Sequence, residues 1–248
     1  MNYRISAKSL IGKRDEQQDA YSFFKVGNLI CAVVCDGMGG MECGKTASNS
    51  TIDLITQIIQ KTNGEISDIP DFLLHCIDTL DENVCKIKKS DNEKANAGTT
   101  IVVCIINGDK LFWLSIGDSR LYISRGNEIE QATRDHNLGF TLEQMKNENK
   151  ISLDLYNEQV TKSEMLTSYI GMGGIDFYDI CQSPFIIKPG DILLITTDGL
   201  YRTLSENELV DSLLHDDEAA NAFETRIKDI DKPNQDNATF IIIKAMEE

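Results

Sequence analysis

The sequence predicts an α+β fold in a single domain, and three observations support that prediction. Short apolar runs rich in β-branched residues occur in groups, two long amphipathic helical segments separate them, and further strands and helices follow in the C-terminal half. The chain of 248 residues has only four Pro and no internal repeat, low-complexity segment or Gly/Ser-rich linker. We therefore expect residues 1–248 to form one domain.

Five apolar runs are typical of buried strands. They are residues 29–35 (LICAVVC), 99–106 (TTIVVCII), 110–116 (KLFWLSI), 192–197 (ILLITT) and 239–244 (TFIIIK). The second and third runs flank Asn107-Gly108, and this dipeptide between two such runs predicts a β-hairpin. We expect residues 121–125 to extend the hairpin into a meander.

Apolar residues at helical spacing predict two long helices, in residues 44–61 and 70–88. Ser205 and Glu208 have the spacing of a capping box, so a further helix is expected to begin there. Residues 219–230 predict a last helix.

Residues 133–174 lack this regularity, apart from one short helix predicted near residues 141–148. We expect this segment to be an irregular flap inserted into the domain rather than a part of its core.

The composition narrows the classes of function. The formal net charge is −16, from 40 acidic and 24 basic residues, which argues against nucleic-acid or anionic-membrane partners. No apolar stretch reaches the ~20 residues that span a bilayer, and no secretory signal is visible. The seven Cys include no C-x-x-C pair, which favours a reduced compartment. We therefore expect a cytoplasmic protein.

Four aspartates lie beside the predicted strands. Asp36 and Asp198 each follow an apolar run and precede a Gly, Asp118 follows the run that ends at residue 116, and Asp236 precedes the last strand. Carboxylates that converge from strand ends repel one another unless a cation neutralises them, so a convergent set predicts a metal site. A single Asp-Gly is an ordinary turn dipeptide, but the set of four favours the metal.

Eight short motifs follow one another between residues 14 and 239. They are residues 14–19 (RDEQQD), 36–40 (DGMGG), 98–100 (GTT), 117–120 (GDSR), 133–136 (TRDH), 166–171 (LTSYIG), 197–199 (TDG) and 236–239 (DNAT). In content and order this set resembles the type 2C (PPM) metal-dependent serine/threonine protein phosphatases, and residues 36–40 resemble the bacterial branch. Each motif alone is weak, whereas eight in family order are specific.

The resemblance implies a fold of two packed antiparallel β-sheets flanked by α-helices, with a metal centre at one end of the sandwich. By position, Asp36 would bridge two ions, and the carbonyl of Gly37 would complete the ligands of one of them. Asp198 and Asp236 would hold the other ion. Because these ligands are all oxygen, Mg²⁺ or Mn²⁺ is expected.

The resemblance assigns three further residues. Asp19 would act on the metals through bound water, Asp118 would help to bind a third, weaker ion, and Arg14 would hold the substrate phosphate. The implied activity is hydrolysis of phosphoserine and phosphothreonine by an activated water, without a phosphoenzyme. Phosphorylated proteins and a cognate Ser/Thr kinase are the implied partners, and we expect a monomer.

The sequence departs from the family pattern in places. Met41 stands where the family usually has a His proposed as general acid, and a thioether cannot donate a proton. Lys45 replaces a Glu that is common in bacterial members, and Thr167 lacks the Arg that usually follows it. Two alternatives stay open: a regulatory module that keeps the metals without efficient turnover, and an acid–base hydrolase that works without metal. A stress-response phosphatase that acts on an anti-anti-sigma-like protein would share the chemistry and differ in its target.

Overall fold

A computed structural model describes residues 1–39, 43–88, 93, 95–215 and 218–246, without the side chain of residue 215. Within these residues, two antiparallel β-sheets pack face to face. The five-stranded sheet of the described chain has the order β1 (Asn2–Leu10), β12 (Ala238–Met246), β11 (Ile192–Thr196), β7 (Arg120–Arg125) and β8 (Glu128–Gln131).

The second sheet has seven strands in the part of the chain that is described. Its main path is β10 (Phe185–Ile186), β6 (Lys110–Ile116), β5 (Ile101–Asn107), β3 (Leu29–Met38) and β2 (Asp19–Val26). Two short strands join it at the side: β4 (Gly98–Thr99) pairs with β3, and β9 (Asp179–Ile180) pairs with β6.

Helices cover both outer faces of the sandwich. The helices α1 (Cys43–Gln60) and α2 (Ile69–Cys85) pack on the seven-stranded sheet of the described residues, and α6 (Glu206–His215) and α7 (Ala219–Ile230) pack on the other sheet. Three apolar layers result, one between the sheets and one under each helix pair. The predicted two-sheet fold flanked by helices is therefore confirmed.

Local sequence signals agree with several of these elements. The predicted hairpin is present, because β5 pairs with β6 from Asn107↔Lys110 onward. The capping box is also present: the backbone N–H of Ser205 donates to the Glu208 carboxylate at 2.8 Å, and the N–H of Glu208 donates to the Ser205 hydroxyl at 3.4 Å. These two motifs depend only on neighbouring residues, so the sequence shows them directly.

The predicted meander is wrong. Residues 120–125 form β7, which pairs with β8 and β11 in the five-stranded sheet of the described chain rather than with β6. The connection from β6 leaves one sheet and enters the other through Gly117, whose φ is +104°. A Cβ at Gly117 would lie 2.5 Å from the Thr100 side chain, so a larger residue could not make this turn.

Residues 133–174 contain α3 (Leu138–Asn147), α4 (Leu153–Gln159) and a short 3₁₀ helix (Val160–Lys162). The first agrees with the predicted short helix, and the other two were not predicted. Isolated bridges Asn137↔Leu166 and Thr99↔Ile170 attach the segment to itself and to β4. Its status as a flap inserted in one domain stays a prediction.

Among the described residues, no helix combines the length and apolar character needed to cross a membrane.

Candidate active site

One end of the sandwich opens into a cleft of about 960 Å³. The residues that line it include Arg14, Asp36, Gly37, Asp118, Asp198 and Asp236. Asp19 lies behind the cleft, opposite Asp36 in the β2–β3 ladder. The structure thus brings the sequence-predicted site residues together, while their roles as ligands stay predictions.

Strand ends explain the convergence. Asp36 lies near the end of β3 in one sheet, and Asp118 lies where the chain crosses between sheets. Asp198 opens the short helix α5 (Asp198–Tyr201) directly after β11, and Asp236 precedes β12. Because β11 and β12 are antiparallel neighbours, the end of one and the start of the other meet at the same edge.

Burial and mutual repulsion dominate the electrostatics of the cleft. Burial, followed by the nearby carboxylates of Asp19 and Asp198, raises the pKa of Asp36 well above its usual range. Burial also raises the pKa of Asp19 to about 7, although a hydrogen bond from Thr197 partly offsets this effect. Burial, followed by the charge of Asp198, raises the pKa of Asp118 to about 6. Such a cluster is stable only when protons or cations neutralise it.

The donor atoms fit a hard divalent cation. Oδ1 of Asp198 is buried and has no hydrogen-bond partner. The cleft is also lined by the carboxylates of Asp36, Asp118 and Asp236. Among the described residues, no three His, Cys, Asp or Glu side chains already stand in the arrangement of a metal site. Mg²⁺ commonly uses only one or two carboxylates and keeps several waters, so the cleft suits ions of this class.

Arg14 reaches the rim of the cleft, with 58% of its side chain exposed. Its Nη2 donates to Oδ2 of Asp236 at 2.6 Å, and the backbone N–H of Asn237 donates to Oδ1 at 2.8 Å. Arg14 is therefore held beside the acidic cluster at the rim of the cleft, and its role in binding phosphate stays a prediction.

Arg202 is a site residue that sequence reasoning missed. Its guanidinium pairs with Asp198 at 3.0 Å, with Asp118 at 3.2 Å and with Glu164 at 2.7 Å. The available signal was its position four residues after Asp198 at the start of a helix, a spacing at which opposite charges meet.

The Gly-Thr-Thr motif positions the backbone of Asp36. The Thr100 N–H and the Thr99 hydroxyl both donate to the Asp36 carbonyl, at 2.9 and 2.8 Å. The Asp36 N–H donates in turn to the Thr100 hydroxyl at 2.9 Å. These three bonds fix the direction in which the Asp36 side chain leaves β3.

The Thr-Asp-Gly and Asp-Asn motifs join separate parts of the chain. The hydroxyl of Thr197 donates to Asp19 at 2.9 Å. A Cβ at Gly199 would lie 1.9 Å from the Asn237 carbonyl, so this close approach requires glycine. The side chain of Asn237 accepts from the Gln18 N–H and donates to the Ile11 carbonyl, each at 2.8 Å, which anchors the loop that carries Arg14.

The Gly-Asp-Ser-Arg and Thr-Arg-Asp-His motifs support Asp118. Arg120 makes two hydrogen bonds to Asp135, at 2.9 and 2.6 Å, and its guanidinium lies 3.6 Å from the centre of the Tyr201 ring. The hydroxyl of Tyr201 donates to the Asp118 carbonyl at 2.9 Å. His136 is buried and contacts Gly117, which agrees with a structural histidine.

Two residues of the predicted site region, Gly40 and Met41, lie outside the described residues. The effect of Met41 in place of the usual His stays a prediction.

Comparison with known proteins finds similarity to bacterial protein phosphatases. The family described as Protein phosphatase 2C matches residues 27–144. Protein phosphatase PhpP of Streptococcus pneumoniae serotype 2 (strain D39 / NCTC 7466) is 26% identical over 243 residues, which cover 95% of this chain and 94% of that protein. Serine/threonine phosphatase stp of Listeria monocytogenes serotype 4b (strain F2365) is 25% identical over 222 residues, covering 88% and 85%.

Solved structures show the same fold. The serine/threonine phosphatase of S. agalactiae has a TM-score of 0.82 and 24% identity, covering 99% of this chain and 100% of that one. The catalytic domain of PstP in complex with two manganese ions has a TM-score of 0.74 and 21% identity, covering 99% of each chain. Together with the ordered motifs and the relatives that match over almost their full length, these findings show that this chain is similar to the protein phosphatase 2C family and shares its fold.

Proposed function

We propose that this protein is a Mg²⁺- or Mn²⁺-dependent phosphatase that hydrolyses phosphoserine and phosphothreonine in proteins. The observation that carries the proposal is the convergence of Asp36, Asp198 and Asp236 in one cleft, with Arg14 at its rim. The two manganese ions in the PstP complex support a two-metal site in this family fold. We also propose a monomeric, cytoplasmic enzyme that opposes a Ser/Thr kinase.

In this proposal Asp36, the carbonyl of Gly37, Asp198 and Asp236 would hold the two ions. When bound, the two ions would lower the pKa of a water near phosphorus and neutralise the phosphoryl oxygens. Oδ1 of Asp198, which is buried and has no hydrogen-bond partner, supports this assignment. Burying such an oxygen costs free energy unless a bound cation compensates for the missing hydrogen bond.

The protein itself orients the substrate and supports the ligands. Arg14 would bind two phosphate oxygens through its planar donors and so align the phosphorus for in-line attack. Asp19, held by Thr197, would accept hydrogen bonds from ordered water behind the ligands.

The first test is hydrolysis of a phosphothreonine peptide by the purified chain with Mn²⁺, with EDTA, and after Asp36→Asn. We expect activity that requires Mn²⁺ and falls at least ~100-fold in the variant, because the loss removes charge stabilisation of the transition state. Asp53→Asn, on the exposed face of α1, is the matched control and should keep full activity.

Two outcomes would contradict the proposal. Turnover that persists in EDTA would indicate an acid–base hydrolase. Mn²⁺ binding without turnover would indicate a regulatory module, in which case Met41→His is the variant expected to restore activity if the missing general acid is the cause.

A further inference from the structure

Arg202 lies among three carboxylates that come from different parts of the chain. Its Nε pairs with Asp198 in α5, its Nη2 with Asp118 between the sheets, and its Nη1 with Glu164 in residues 133–174, the predicted flap. The three distances are 3.0, 3.2 and 2.7 Å, so a different nitrogen of the guanidinium serves each carboxylate. Few side chains except Arg offer donors in three directions from one plane.

Burial makes two of these pairs strong and one weak. Only 6% of the Asp118 side chain and 26% of the Arg202 side chain are exposed, so water can replace little of this pairing. A buried carboxylate that loses its only positive partner is costly. Glu164, by contrast, has 75% of its side chain exposed, and an exposed ion pair is weak and sensitive to salt.

The same geometry bears on the third ion that the family resemblance implies at Asp118. A further divalent cation at Asp118 would have to displace the guanidinium from Oδ2 or bind the other carboxylate oxygen beside it. In both cases it would share the site with a positive charge close by. Arg202 already neutralises both Asp118 and Asp198 from this side. The residues present therefore do not fit a third ion while Arg202 is in place.

We propose that Arg202 is a built-in cation that replaces a third divalent ion at Asp118 and, through Glu164, holds the predicted flap against the cleft. This inference rests on the proposed two-metal phosphatase. Arg202 is a positioning residue, because it acts on the metal ligands and the flap rather than on the reacting atoms.

The first test counts bound Mn²⁺ by electron paramagnetic resonance in four proteins: wild type, Asp118→Asn, Arg202→Met and the double variant. In the wild type, Asp118→Asn should leave the number of bound ions unchanged. Arg202→Met should bind one additional, weak ion, and the double variant should lose it. Loss of an ion from Asp118→Asn while Arg202 is present, or no additional ion in Arg202→Met, would overturn the inference.

The second test measures amide hydrogen exchange of residues 160–168 without metal. Arg202→Met and Glu164→Gln should each speed exchange by about two- to fivefold at low salt, the range expected for an exposed pair, and the effect should vanish at ~1 M salt. Arg202→Lys keeps the positive charge but loses the planar guanidinium, so its exchange rate should lie between those of the wild type and Arg202→Met. Unchanged exchange in both Glu164→Gln and Arg202→Met would contradict the flap contact.

Arg226→Met is the matched control, because Arg226 pairs with Asp211 between α6 and α7, away from the cleft. It should match the wild type in both tests. Failure of the proposed function would appear separately, as wild-type turnover that does not depend on Mn²⁺ or Asp36, whereas the exchange test needs neither metal nor substrate.

Discussion

At the scale of single residues, the cleft shows a conflict between stability and function. Asp36 lies among the carboxylates of Asp19, Asp118, Asp198 and Asp236. Burial is the largest cause of its raised pKa, and each of these four carboxylates raises the pKa further. A sequence selected for stability alone would not place these charges together. Their convergence at one end of the sandwich is the arrangement that a cation site would require.

This conflict predicts opposite effects of one substitution. Asp36→Asn should remove activity but raise the melting temperature of the metal-free protein by about 2–4 °C. The raised pKa of Asp36 means that folding must either protonate this carboxylate or bury its charge among others, and the variant avoids this penalty of order 1 kcal/mol. Mn²⁺ should then raise the melting temperature of the wild type more than that of the variant. Differential scanning fluorimetry in EDTA and in Mn²⁺ measures both effects. A metal-free variant less stable than the wild type would show that the repulsion is not significant.

Thr100 offers a second residue-scale prediction. Its hydroxyl accepts from the Asp36 N–H and lies 2.6 Å from the Ser119 hydroxyl in a buried position. Thr100→Val keeps the shape of the side chain but leaves both partners unsatisfied, which should cost about 1–3 kcal/mol of unfolding free energy. Urea denaturation measures this cost, and Thr161→Val, at an exposed position, is the control. An equal effect of the two variants would refute the role of the Thr100 hydroxyl.

At the scale of elements, a buried carboxylate joins α2 to the end of the predicted flap. Asp81 accepts hydrogen bonds from the backbone N–H groups of Gly171 and Gly174, at 2.6 and 2.9 Å. These contacts help to fix the turn around residues 171–174, and they join residues about 90 positions apart in the sequence. The helical pattern of α2 predicts the helix, but it does not predict what its polar residue binds.

We therefore expect Asp81→Ala to loosen residues 171–174 and to destabilise the protein by about 1–3 kcal/mol. Hydrogen exchange should rise in that loop, and urea denaturation should show the loss. Asp78→Ala, on the exposed face of the same helix, is the matched control. If the two variants were equally stable, the Asp81 contacts would contribute nothing measurable.

A second contact between elements lies far from the cleft. Arg125 at the end of β7 makes two hydrogen bonds to the buried Asp191, at 2.8 and 2.7 Å, and the Lys188 N–H donates to the same carboxylate. Burial alone would raise the pKa of Asp191, but the hydrogen bonds from Arg125 and Lys188 outweigh it and lower the pKa. The ionised form is therefore the one that stabilises the fold.

This lowered pKa predicts a dependence on pH. The stabilisation is fully present above the unfolded pKa of about 3.9 and is lost as pH falls through the lower pKa of the folded protein. Asp191→Asn should thus be less stable than the wild type at pH 7, and the difference in melting temperature should shrink below pH ~4. A difference that stays constant down to pH 2 would contradict the assignment.

At the scale of the whole molecule, the protein has a net charge of −16, whereas the proposed substrate carries an anionic phosphate group into the cleft. Arg14 offers local attraction at the rim, but the long-range field opposes an acidic peptide. Basic phosphopeptides should therefore react with higher kcat/KM than acidic ones at low salt, and the ratio should fall toward one as salt screens the field. Equal kcat/KM values for basic and acidic phosphopeptides at low salt would contradict this prediction.

Much of the molecule was predictable where the signal is local. The hairpin at Asn107-Gly108, the capping box at Ser205 and the helix Ala219–Ile230 follow from neighbouring residues. The edge strand β1, in which apolar residues alternate with polar ones, was missed because only continuous apolar runs were assigned as strands. The wrong meander has the same origin, since the sheet that β7 joins depends on partners distant in sequence.

The sequence by itself determined the resemblance to the 2C phosphatases, the order of the motifs and the set of candidate acidic residues, because these are patterns along the chain. Only the tertiary structure decided which carboxylates meet, that Arg14 pairs with Asp236, and that Arg202 joins Asp118 and Asp198 to Glu164. The physical reason is that electrostatic pairing depends on distance and burial in space, and residues 118, 164 and 202 come together only when both sheets have packed.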